Sequence, residues 1–478
     1  MKRIAIIGGG ISGLAAAYTL EEKRRAGVDV EYSLYEASPR FGGVLVTERV
    51  DGCIVEAGPD SFLTEKPWAS DLCGKLGLSD QLIGSNDADR KTYILVGGKL
   101  VELPDGLMFM VPTKLTPTVL STLFSTKTKL RMAREWFHPP HRANGDETVA
   151  SFVERHYGPE VVDRLADPLL SGVYGGEASQ LSVRAVLPRF AEMEAKYGSL
   201  GRAMLAARSA MARTKGPSRP LFTSLKQGMQ QLVDSLVASL ERASLHAGIV
   251  VQAVSPEAGG WVVSAGLKSD QFDAVILAVP TKSAALLLQN CSKDLGTELG
   301  GIDYSSSVTV ALGYDKPVRD SLPPGFGFLV PRSEGKRMLA ATFVHNKFPH
   351  RAPDDRAIIR CFLGGARGES MLDLPETEIL RIVREELGQI LHLNAEPLFT
   401  RAYKWKGAMA QYGVGHLERL QRIEGLRQKL AGLALAGNGY SGIGVPDCIR
   451  SGTQAVEETL TGLGLIESEP VSATLDDR

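Results

Sequence analysis

Three glycines near the start of the chain, Gly8, Gly10 and Gly13, have the spacing GxGxxG. They follow a short apolar run, IAII, and precede a segment whose apolar residues have helical spacing. In such a turn the first glycine permits the bend, the second lets a pyrophosphate approach the backbone, and the third brings the helix close to the strand. The N-terminus of the following helix attracts the phosphate charge. The pattern therefore predicts a dinucleotide-binding turn.

Glu36 supports this prediction because it ends the second predicted strand, VEYSLYE. A carboxylate at this place accepts hydrogen bonds from ribose hydroxyls and disfavours a 2'-phosphate. The fingerprint alone does not decide between FAD and NAD. The residues predicted to bind the dinucleotide are Gly8, Gly9, Gly10, Ile11, Ser12, Gly13, Glu36 and Ala37.

A second glycine cluster, GNGYSGIG, occupies residues 437–444 near the other end of the chain. It lies between a predicted strand, LALAG, and a predicted helix whose first turn contains Pro446. Glycines free the backbone and admit a planar ligand, while helix N–H groups stabilise an adjacent anion by roughly 0.3 to 2 kcal/mol. We therefore predict that the two ends of the chain fold around one cofactor.

The elements between the two clusters change in character along the chain. TKTKLRMAREWF and TVASFVERHYG have helical spacing, with Gly158 as a stop and Pro159 in the next first turn. IVVQAV, GWVVSA, SSVTVALGY and AIIRCFLGG read as strands, and ETEILRIVREELGQIL as an amphipathic helix. The first predicted helix should bury one apolar face, which contains Leu14, Ala17, Tyr18 and Leu20.

Composition excludes several classes of protein. The 478 residues carry a formal charge of -1, which gives no global field for nucleic acid. The five cysteines have no metal-binding or disulfide-framework spacing. We therefore expect that the protein binds no metal and is located in a reducing cytoplasm. The sequence contains no secretory signal pattern and no run of eighteen apolar residues.

The segment SPRFGGVLVTERVDGCIVEAGPDSF, residues 38–62, resembles the second signature of a flavoprotein family that contains amine oxidases, phytoene desaturases and protoporphyrinogen oxidases. The resemblance implies FAD as the cofactor. It implies that Arg40 and Gly43 lie along the diphosphate, the alternative for Arg40 being a solvated loop charge. It also implies that a further group of residues lies at the cofactor: Gly58, Pro59, Asp60, Ser61, Val254, Trp405, Ile443, Gly444 and Val445.

Three further stretches resemble the porphyrinogen oxidases of haem synthesis: DPLLSGVYGG, KWKGAMAQYGVGH and GYSGIGVPDCI. The resemblance runs in order over nearly the whole chain and is closest to Gram-positive bacterial enzymes that act on coproporphyrinogen III. It implies oxidation of coproporphyrinogen III to coproporphyrin III by molecular oxygen, with six electrons passing in three flavin cycles and peroxide released. It implies no catalytic base, and we single out no catalytic residue.

Two departures from the family pattern bear on the substrate. Thr92 stands where mitochondrial and plant protoporphyrinogen enzymes carry an Arg taken to bind a propionate, which favours coproporphyrinogen. Ala410 stands where the family usually has Pro. Oxidation of protoporphyrinogen IX, of an amine or of a carotenoid remains open, as does a flavin-binding protein without turnover.

Together, these patterns predict an α/β fold with a Rossmann-like FAD-binding domain, a mixed-sheet substrate domain and a helical insert. The FAD-binding domain is assigned to 1–70, 221–290 and 404–466, the substrate domain to 71–105 and 291–403, the insert to 106–220, and a flexible tail to 467–478.

Several side chains have competing interpretations. Arg401, Lys404 and Lys406 are candidate cations for substrate propionates. Tyr412 and His416 could be catalytic, but a structural role is favoured. Trp405 packs either near the flavin or in the core, and Cys448 is expected to be buried and inert.

The segment KTKLRMAREWFHPPHR, residues 127–142, combines basic residues with Trp136 and Phe137. Such a pattern can lie on an anionic membrane surface, which would make the insert a peripheral contact with the inner face of the membrane. The alternative, a solvated helix face with two core aromatics, is favoured.

Overall fold

The computed structural model describes residues 1–108, 110–141, 145–211, 219–366 and 368–467. All but the first residue of the predicted tail therefore lies outside the described residues. The strands are β1 (Lys2–Ile7), β2 (Val30–Glu36), β3 (Thr47–Val50), β4 (Cys53–Glu56), β5 (Phe62–Leu63), β6 (Leu82–Gly84), β7 (Thr92–Val96), β8 (Lys99–Glu102), β9 (Leu107–Met108), β10 (Val111–Pro112), β11 (Phe222–Leu225), β12 (Leu245–Ala247), β13 (Val251–Glu257), β14 (Gly260–Ala265), β15 (Lys268–Phe272), β16 (Ala274–Leu277), β17 (Tyr304–Asp315), β18 (Gly327–Leu329), β19 (Met338–Phe343), β20 (Arg356–Gly364), β21 (Phe399–Ala410) and β22 (Leu433–Leu435).

Helices connect and cover these strands. They are α1 (Ile11–Arg25), α2 (Trp68–Lys75), α3 (Leu115–Leu120), α4 (Thr126–Glu135), α5 (Val149–Tyr157), α6 (Pro159–Val161), α7 (Asp167–Tyr174), α8 (Val183–Val186), α9 (Pro188–Tyr197), α10 (Leu200–Met211), α11 (Gln230–Ser239), α12 (Thr281–Leu288), α13 (Lys293–Gly300), α14 (Lys316–Ser321), α15 (Val344–Lys347), α16 (Glu376–Leu391), α17 (His416–Arg427) and α18 (Val445–Gly462).

The first sheet is five-stranded and parallel, in the order β12-β2-β1-β16-β22. Parallel strands require crossover connections, and here the connections range from one helix to more than a hundred residues. The carboxyl ends of β1, β2, β16 and β22 therefore meet at one edge, which is where an α/β sheet binds ligands. This arrangement confirms the α/β prediction.

The helix α1 differs from the expected amphipathic helix, because every residue from 11 to 21 is buried. One side packs on the parallel sheet, and α11 and α18 cover the others. Close packing of α1 and α18 depends on Gly452, since a Cβ there would lie 2.1 Å from the carbonyl oxygen of Ser12. The two ends of the chain are therefore joined beside the first glycine turn.

A seven-stranded mixed sheet has the order β21-β17-β20-β19-β18-β7-β8. Its strands pair antiparallel except for β18 with β7, and α16 buries its apolar face on the sheet. The sequence boundary between 403 and 404 falls inside β21. Helices α4 to α10 contribute to a separate apolar cluster. Within it α5 ends before Gly158 and Pro159 begins α6, as predicted.

Candidate functional site

Two glycines of the turn after β1, Gly8 and Gly13, could not be replaced by another residue without distortion. Gly8 has φ +107°, and a Cβ there would lie 2.4 Å from the carbonyl oxygen of Ala278. A Cβ on Gly13 would lie 1.8 Å from the carbonyl oxygen of Gly8. Backbone atoms cannot move aside as a flexible side chain can, so both positions require glycine.

Gly10 is different, because a Cβ there would meet no heavy atom of the described residues within 4 Å. Its φ of -69° is open to any residue. Neither backbone conformation nor packing within the described chain therefore explains the glycine. The open space lies at the N-terminus of α1, for which Gly10 is the N-cap, and this position suits an anionic phosphate. The turn thus fits the pyrophosphate of a dinucleotide.

Glu36 lies at the carboxyl end of β2, beside the same turn. One carboxylate oxygen accepts from the N–H of Gly9 at 2.6 Å and the other from the N–H of Ser38 at 2.8 Å. These bonds fix the carboxylate next to the turn. Ala37 is exposed, whereas Val254 is buried on β13 in the cluster that also contains Tyr35.

The segment from Arg40 to Leu45 crosses the turn. The N–H of Gly42 donates to the carbonyl oxygen of Gly9 at 2.8 Å, and a Cβ on Gly43 would lie 3.3 Å from the Cα of Gly10. The guanidinium of Arg40 donates to the carbonyls of Gly43, Leu45 and Phe41. Burial lowers the pKa of Arg40, and the charge of Glu36 opposes that shift. Arg40 is thus a loop anchor beside the turn rather than a freely solvated charge.

The segment 57–61 continues the same surface. A Cβ on Gly58 would lie 1.9 Å from the carbonyl oxygen of Val44, so this glycine permits direct backbone contact between the two segments. The indole N–H of Trp405 donates to the carbonyl oxygen of Ala57 at 2.9 Å. Trp405 therefore lies against the segment rather than elsewhere in the core.

Asp60 is held by several groups. The Nζ of Lys347 lies 3.2 and 3.1 Å from its two carboxylate oxygens, and the hydroxyl of Ser61 donates to it at 2.7 Å. Burial opposes ionisation, yet Lys347 and Arg360 hold the pKa of Asp60 well below its ordinary value. Asp60 is therefore a fixed anion rather than a proton carrier.

The second glycine cluster is a loop whose backbone forms hydrogen bonds with the side chains of Tyr412 and His416. The hydroxyl of Tyr412 donates to the carbonyl oxygen of Asn438 at 2.7 Å and accepts from the N–H of Gly442 at 2.8 Å. His416 stacks on Tyr412 with ring centroids 4.1 Å apart, and its Nε2 lies 3.0 Å from the carbonyl oxygen of Tyr440. Burial lowers the pKa of His416. These contacts support the structural role that the sequence favours.

Helix α18 begins directly after this loop, with Gly444 as its N-cap and Pro446 in its first turn. Val445 is buried in the cluster beside the parallel sheet, and Ile443 packs against the cluster of the helical insert. Cys448 is buried too, and burial raises the pKa of its thiol to about 12, which agrees with an inert cysteine.

The first turn of α18 also carries an acid, Asp447, which the sequence did not single out. The Nζ of Lys66 lies 2.9 and 2.7 Å from the two oxygens of Asp447, and Arg450 lies 3.7 Å away. A Cβ on Gly442 would lie 2.4 Å from the Cγ of Asp447, so the loop needs glycine to accommodate the carboxylate. The partial positive charge at the N-terminus of α18 therefore acts partly on Asp447, a carboxylate of the helix itself.

The cations proposed for substrate propionates are not free to bind them as a group. The Nζ of Lys404 donates to the carbonyls of Leu372 and Leu374, at 2.7 and 2.6 Å. Arg401 pairs with Glu48 at 2.9 Å, and Lys406 is exposed. Lys404 is thus already engaged by carbonyl groups of a neighbouring turn, and its role towards a propionate stays a prediction.

Sequence reasoning also missed the charged side chains behind 57–61, namely Glu56, Lys347, Arg351 and Arg360. Glu56 lies within the flavoprotein signature and Arg360 within a predicted strand, but no local spacing marks any of the four as partners of the segment. Within the described residues, no group of three or more His, Cys, Asp or Glu could hold a metal ion. No helix in the described ranges has both the length and the apolar character needed to cross a membrane.

Comparisons with known proteins agree with this geometry. The family model for flavin containing amine oxidoreductases matches residues 11–460. A coproporphyrinogen III oxidase from Bacillus subtilis (strain 168) is 35% identical over 473 residues, which cover 97% of this chain and 98% of the relative. Protoporphyrinogen oxidase 2, chloroplastic/mitochondrial, from Arabidopsis thaliana is 28% identical over 503 residues, covering 97% and 94%. The solved structure of a candidate protoporphyrinogen oxidase from Exiguobacterium sp. 255-15 matches with a TM-score of 0.86 at 30% identity, covering 97% of this chain and 99% of that one.

Proposed function

The chain belongs to the flavin containing amine oxidoreductases and is an FAD-dependent oxidoreductase, and from this premise we propose that it oxidises coproporphyrinogen III to coproporphyrin III. The predicted family and cofactor are thereby confirmed. Molecular oxygen is the proposed electron acceptor, with peroxide released in each of three flavin cycles.

The observation that carries this proposal is the convergence of three distant stretches, 167–176, 404–416 and 439–449. The side-chain amide of Gln411 donates to the carbonyl oxygen of Tyr174 at 2.6 Å, which joins the first stretch to the second. Tyr412 joins the second to the third through the N–H of Gly442. Trp405 joins the second to Ala57. The stretches that resemble porphyrinogen oxidases thus form one surface beside the segment 57–61.

We propose that FAD extends along this surface from the first glycine turn to the second glycine cluster. Gly10 and the N-terminus of α1 bind the diphosphate, Glu36 accepts from the ribose, and Gly43 leaves room beside the diphosphate. The segment 58–61 with Trp405 and residues 443–445 flank the ring. The proposed FAD-binding domain comprises 1–70, 221–290 and 404–466, although residues 404–410 belong to β21 of the mixed sheet.

When bound, FAD supplies a two-electron acceptor for hydride from the macrocycle. The protein orients the substrate and keeps water away from the reacting face.

The test is aerobic incubation of the purified yellow protein with chemically reduced coproporphyrinogen III, following porphyrin fluorescence and peroxide. We expect a rate well above the autoxidation blank and one peroxide for each two electrons. An anaerobic sample should stop after reduction of the bound flavin. A rate equal to the blank would refute the proposal.

Protoporphyrinogen IX is the alternative substrate, because the Arabidopsis relative and the Exiguobacterium structure carry that name. Thr92 begins β7 and pairs with Gly327 of β18. We expect protoporphyrinogen to be oxidised more slowly, and a faster rate on protoporphyrinogen would reverse the choice of substrate.

We also propose a cytoplasmic location with peripheral contact between the helical insert and an anionic membrane surface. Three apolar side chains of the insert are exposed: Phe137 at 85%, Leu120 at 77% and Leu130 at 62%. The alternative that Trp136 and Phe137 are both core aromatics therefore fails for Phe137, whereas Trp136 is half-buried. Lys127 and Arg134 lie on the same segment, whereas Arg142 lies outside the described residues.

Cosedimentation with phosphatidylglycerol vesicles tests this contact. Phe137→Ser should weaken binding several-fold, because an exposed aromatic ring anchors at the lipid interface. Leu267→Ser is the matched control, since Leu267 is fully exposed on the turn between β14 and β15. Equal binding of both variants and of the unmodified protein would count against the insert as the contact.

A further inference from the structure

A cluster of charged side chains lies behind the segment 57–61, on β4, β20, α15 and the turns that follow β4 and α15. The side chains are at most 17% exposed. Within the described residues the cluster consists of three cations and two carboxylates: Lys347, Arg351, Arg360, Glu56 and Asp60. One positive charge is therefore in excess, in a place where burial weakens screening by water.

The cluster binds the backbone of the segment as well as its side chains. The guanidinium of Arg360 donates to the carbonyl oxygen of Gly58 and lies 3.5 Å from that of Ala57. The indole of Trp405 donates to Ala57. The hydroxyl of Ser224, which accepts from Arg351 at 2.6 Å, donates to the carbonyl oxygen of Asp60 at 2.6 Å. Carbonyl groups of the segment thus point into the cluster.

Asp60 stays ionised within the cluster, so its negative charge offsets one of the three cations. Burial opposes the charge on Asp60, but Lys347 and Arg360 hold its pKa well below the ordinary value. Glu56 pairs with Arg351 and accepts from the N–H of Met229 at 2.8 Å. Burial lowers the pKa of Arg360, and the charges of Asp60 and Glu56 oppose that shift.

We propose that this cluster sets the orientation of the segment 57–61 against the flavin and that its excess positive charge stabilises negative charge on the reduced ring. The inference rests on the proposed placement of the flavin beside this segment. Arg360 and Lys347 are positioning residues, because they act through the segment and through their charge rather than by touching substrate. The cluster thereby makes the bound flavin a stronger oxidant.

A cluster that merely joins β4 to β20 would give no such electrostatic effect. Variants of opposite charge distinguish the two roles. Lys347→Met removes a cation and Asp60→Asn removes an anion of the same ion pair. The double variant restores the net charge. Lys316→Met is the control, since Lys316 forms an exposed ion pair with Asp320 on α14.

The readouts are the midpoint potential of the bound flavin and its dissociation constant for sulfite, which binds more tightly when negative charge on the flavin is stabilised. We expect Lys347→Met to lower the potential and weaken sulfite binding about tenfold, the size of effect that one charge exerts at about 10 Å through a dielectric of about 20. Asp60→Asn should shift both quantities the opposite way. The double variant should lie close to the unmodified protein, and Lys316→Met should change neither.

Arg360→Lys separates the orientation of the segment 57–61 from the net charge of the cluster. It keeps the cation but shortens the donor to Gly58, so FAD should bind more weakly while the potential stays within the spread of the controls. Shifts of equal sign in Lys347→Met and Asp60→Asn, or no shift in either, would overturn the proposal. If Lys347→Met loses FAD, the double variant decides, and its loss of FAD would also count against an electrostatic role.

These measurements use no porphyrinogen. A protein that fails to oxidise coproporphyrinogen III can therefore still show the opposite shifts, and failure of the shifts leaves the substrate assignment standing.

Discussion

The two glycine-rich segments, 8–13 and 437–444, follow strands of the same parallel sheet but are constrained differently. In the first, a Cβ on Gly8 or Gly13 would strike backbone oxygen atoms at 2.4 and 1.8 Å. In the second, a Cβ on Gly439 would lie 2.4 Å from a methyl group of Thr281, and one on Gly442 would strike Asp447. The first segment is therefore fixed by backbone, whereas the second is fitted against side chains that can adjust.

A second difference concerns glycines that no contact explains. Gly10 has an ordinary φ and open space beside it, so neither backbone conformation nor packing accounts for it. Gly437 also has no close neighbour, but its φ of +131° favours glycine by itself. Open space alone does not indicate a ligand, since Gly425 inside α17 has it too; Gly10 differs because it is the N-cap of α1, where an anion is stabilised.

The largest expected effect is that of Gly13→Ala. The new Cβ would overlap the carbonyl oxygen of Gly8 between α1 and β1, and we expect a loss of about 3 kcal/mol or more in the free energy of unfolding, together with loss of FAD. Soluble yield and the ratio of absorbance at 450 and 280 nm measure both effects. Gly425→Ala is the control, because Gly425 lies inside α17 with no described atom within 4 Å of a Cβ. Equal stability and equal FAD content in the two variants would show that the backbone does not constrain the first glycine segment.

Gly10→Ala should separate binding from folding. We expect the FAD-free variant to unfold at the same temperature as the unmodified FAD-free protein, because no described atom meets the Cβ. The dissociation constant for FAD should rise about tenfold or more, since a methyl group would occupy the space assigned to the diphosphate, at about 1.4 kcal/mol per tenfold. Unchanged affinity in a fluorescence titration would place the diphosphate elsewhere.

Gly442→Ala should have a smaller effect than Gly13→Ala. Alanine disfavours φ +110°, and its Cβ would displace Asp447 from Lys66, but both groups can shift. We expect the protein to retain FAD and to lose about 1–3 kcal/mol of stability. Thermal unfolding with bound FAD checks this. Complete loss of FAD would show that the second segment is as rigid as the first.

The smallest effect concerns the helical insert, where His156 is buried between Glu135 and Glu194, with its ring nitrogens 3.3 and 3.0 Å from them. Burial opposes a charge on His156, but the two carboxylates raise its pKa above the ordinary 6.5. A raised pKa gives stability that is complete below about pH 6.5 and is lost as pH rises through the folded value.

The pKa values of Glu135 and Glu194 are lowered despite burial, through hydrogen bonds with His156 and neighbouring donors, so their contribution is lost as pH falls below the ordinary 4.5. We expect the unfolding midpoint to fall by a few degrees between pH 6 and pH 9, about 2–4 °C per kcal/mol. His156→Gln should flatten this slope. His345→Gln is the control, because His345 is buried and burial lowers its pKa to about 4, so its titration affects stability only on the acid side. A slope that survives in His156→Gln would assign the titration to another group.

The two strand–turn–helix units at 8–13 and 437–446 could be predicted from the sequence because their signals are local. GxGxxG, Glu36 and Pro446 act within a few residues of where they stand, and the helix predicted at ETEILRIVREELGQIL has the bounds of α16. Burial of α1 on all sides could not be predicted, because the covering helix α18 follows more than four hundred residues later.

The charged partners were missed for the same reason. Arg360 and Gly58 are 302 residues apart, and Lys66 and Asp447 are 381 apart, so no spacing in the sequence relates them. The contacts of Lys404 were missed as well, because the carbonyl groups that it binds come from a turn about thirty residues earlier.

The contact between α1 and α18 has a consequence for how the protein is made. A nascent chain emerges from the ribosome with α1 first, and the apolar sides that α18 covers have no partner until residues 445–462 have been synthesised. The pairing of β16 with β22 is equally late. Such long-range contacts form slowly and leave apolar surface exposed in the meantime. Cofactor loading should therefore be a post-translational event, and chaperones that hold the early segments should raise the yield of yellow protein.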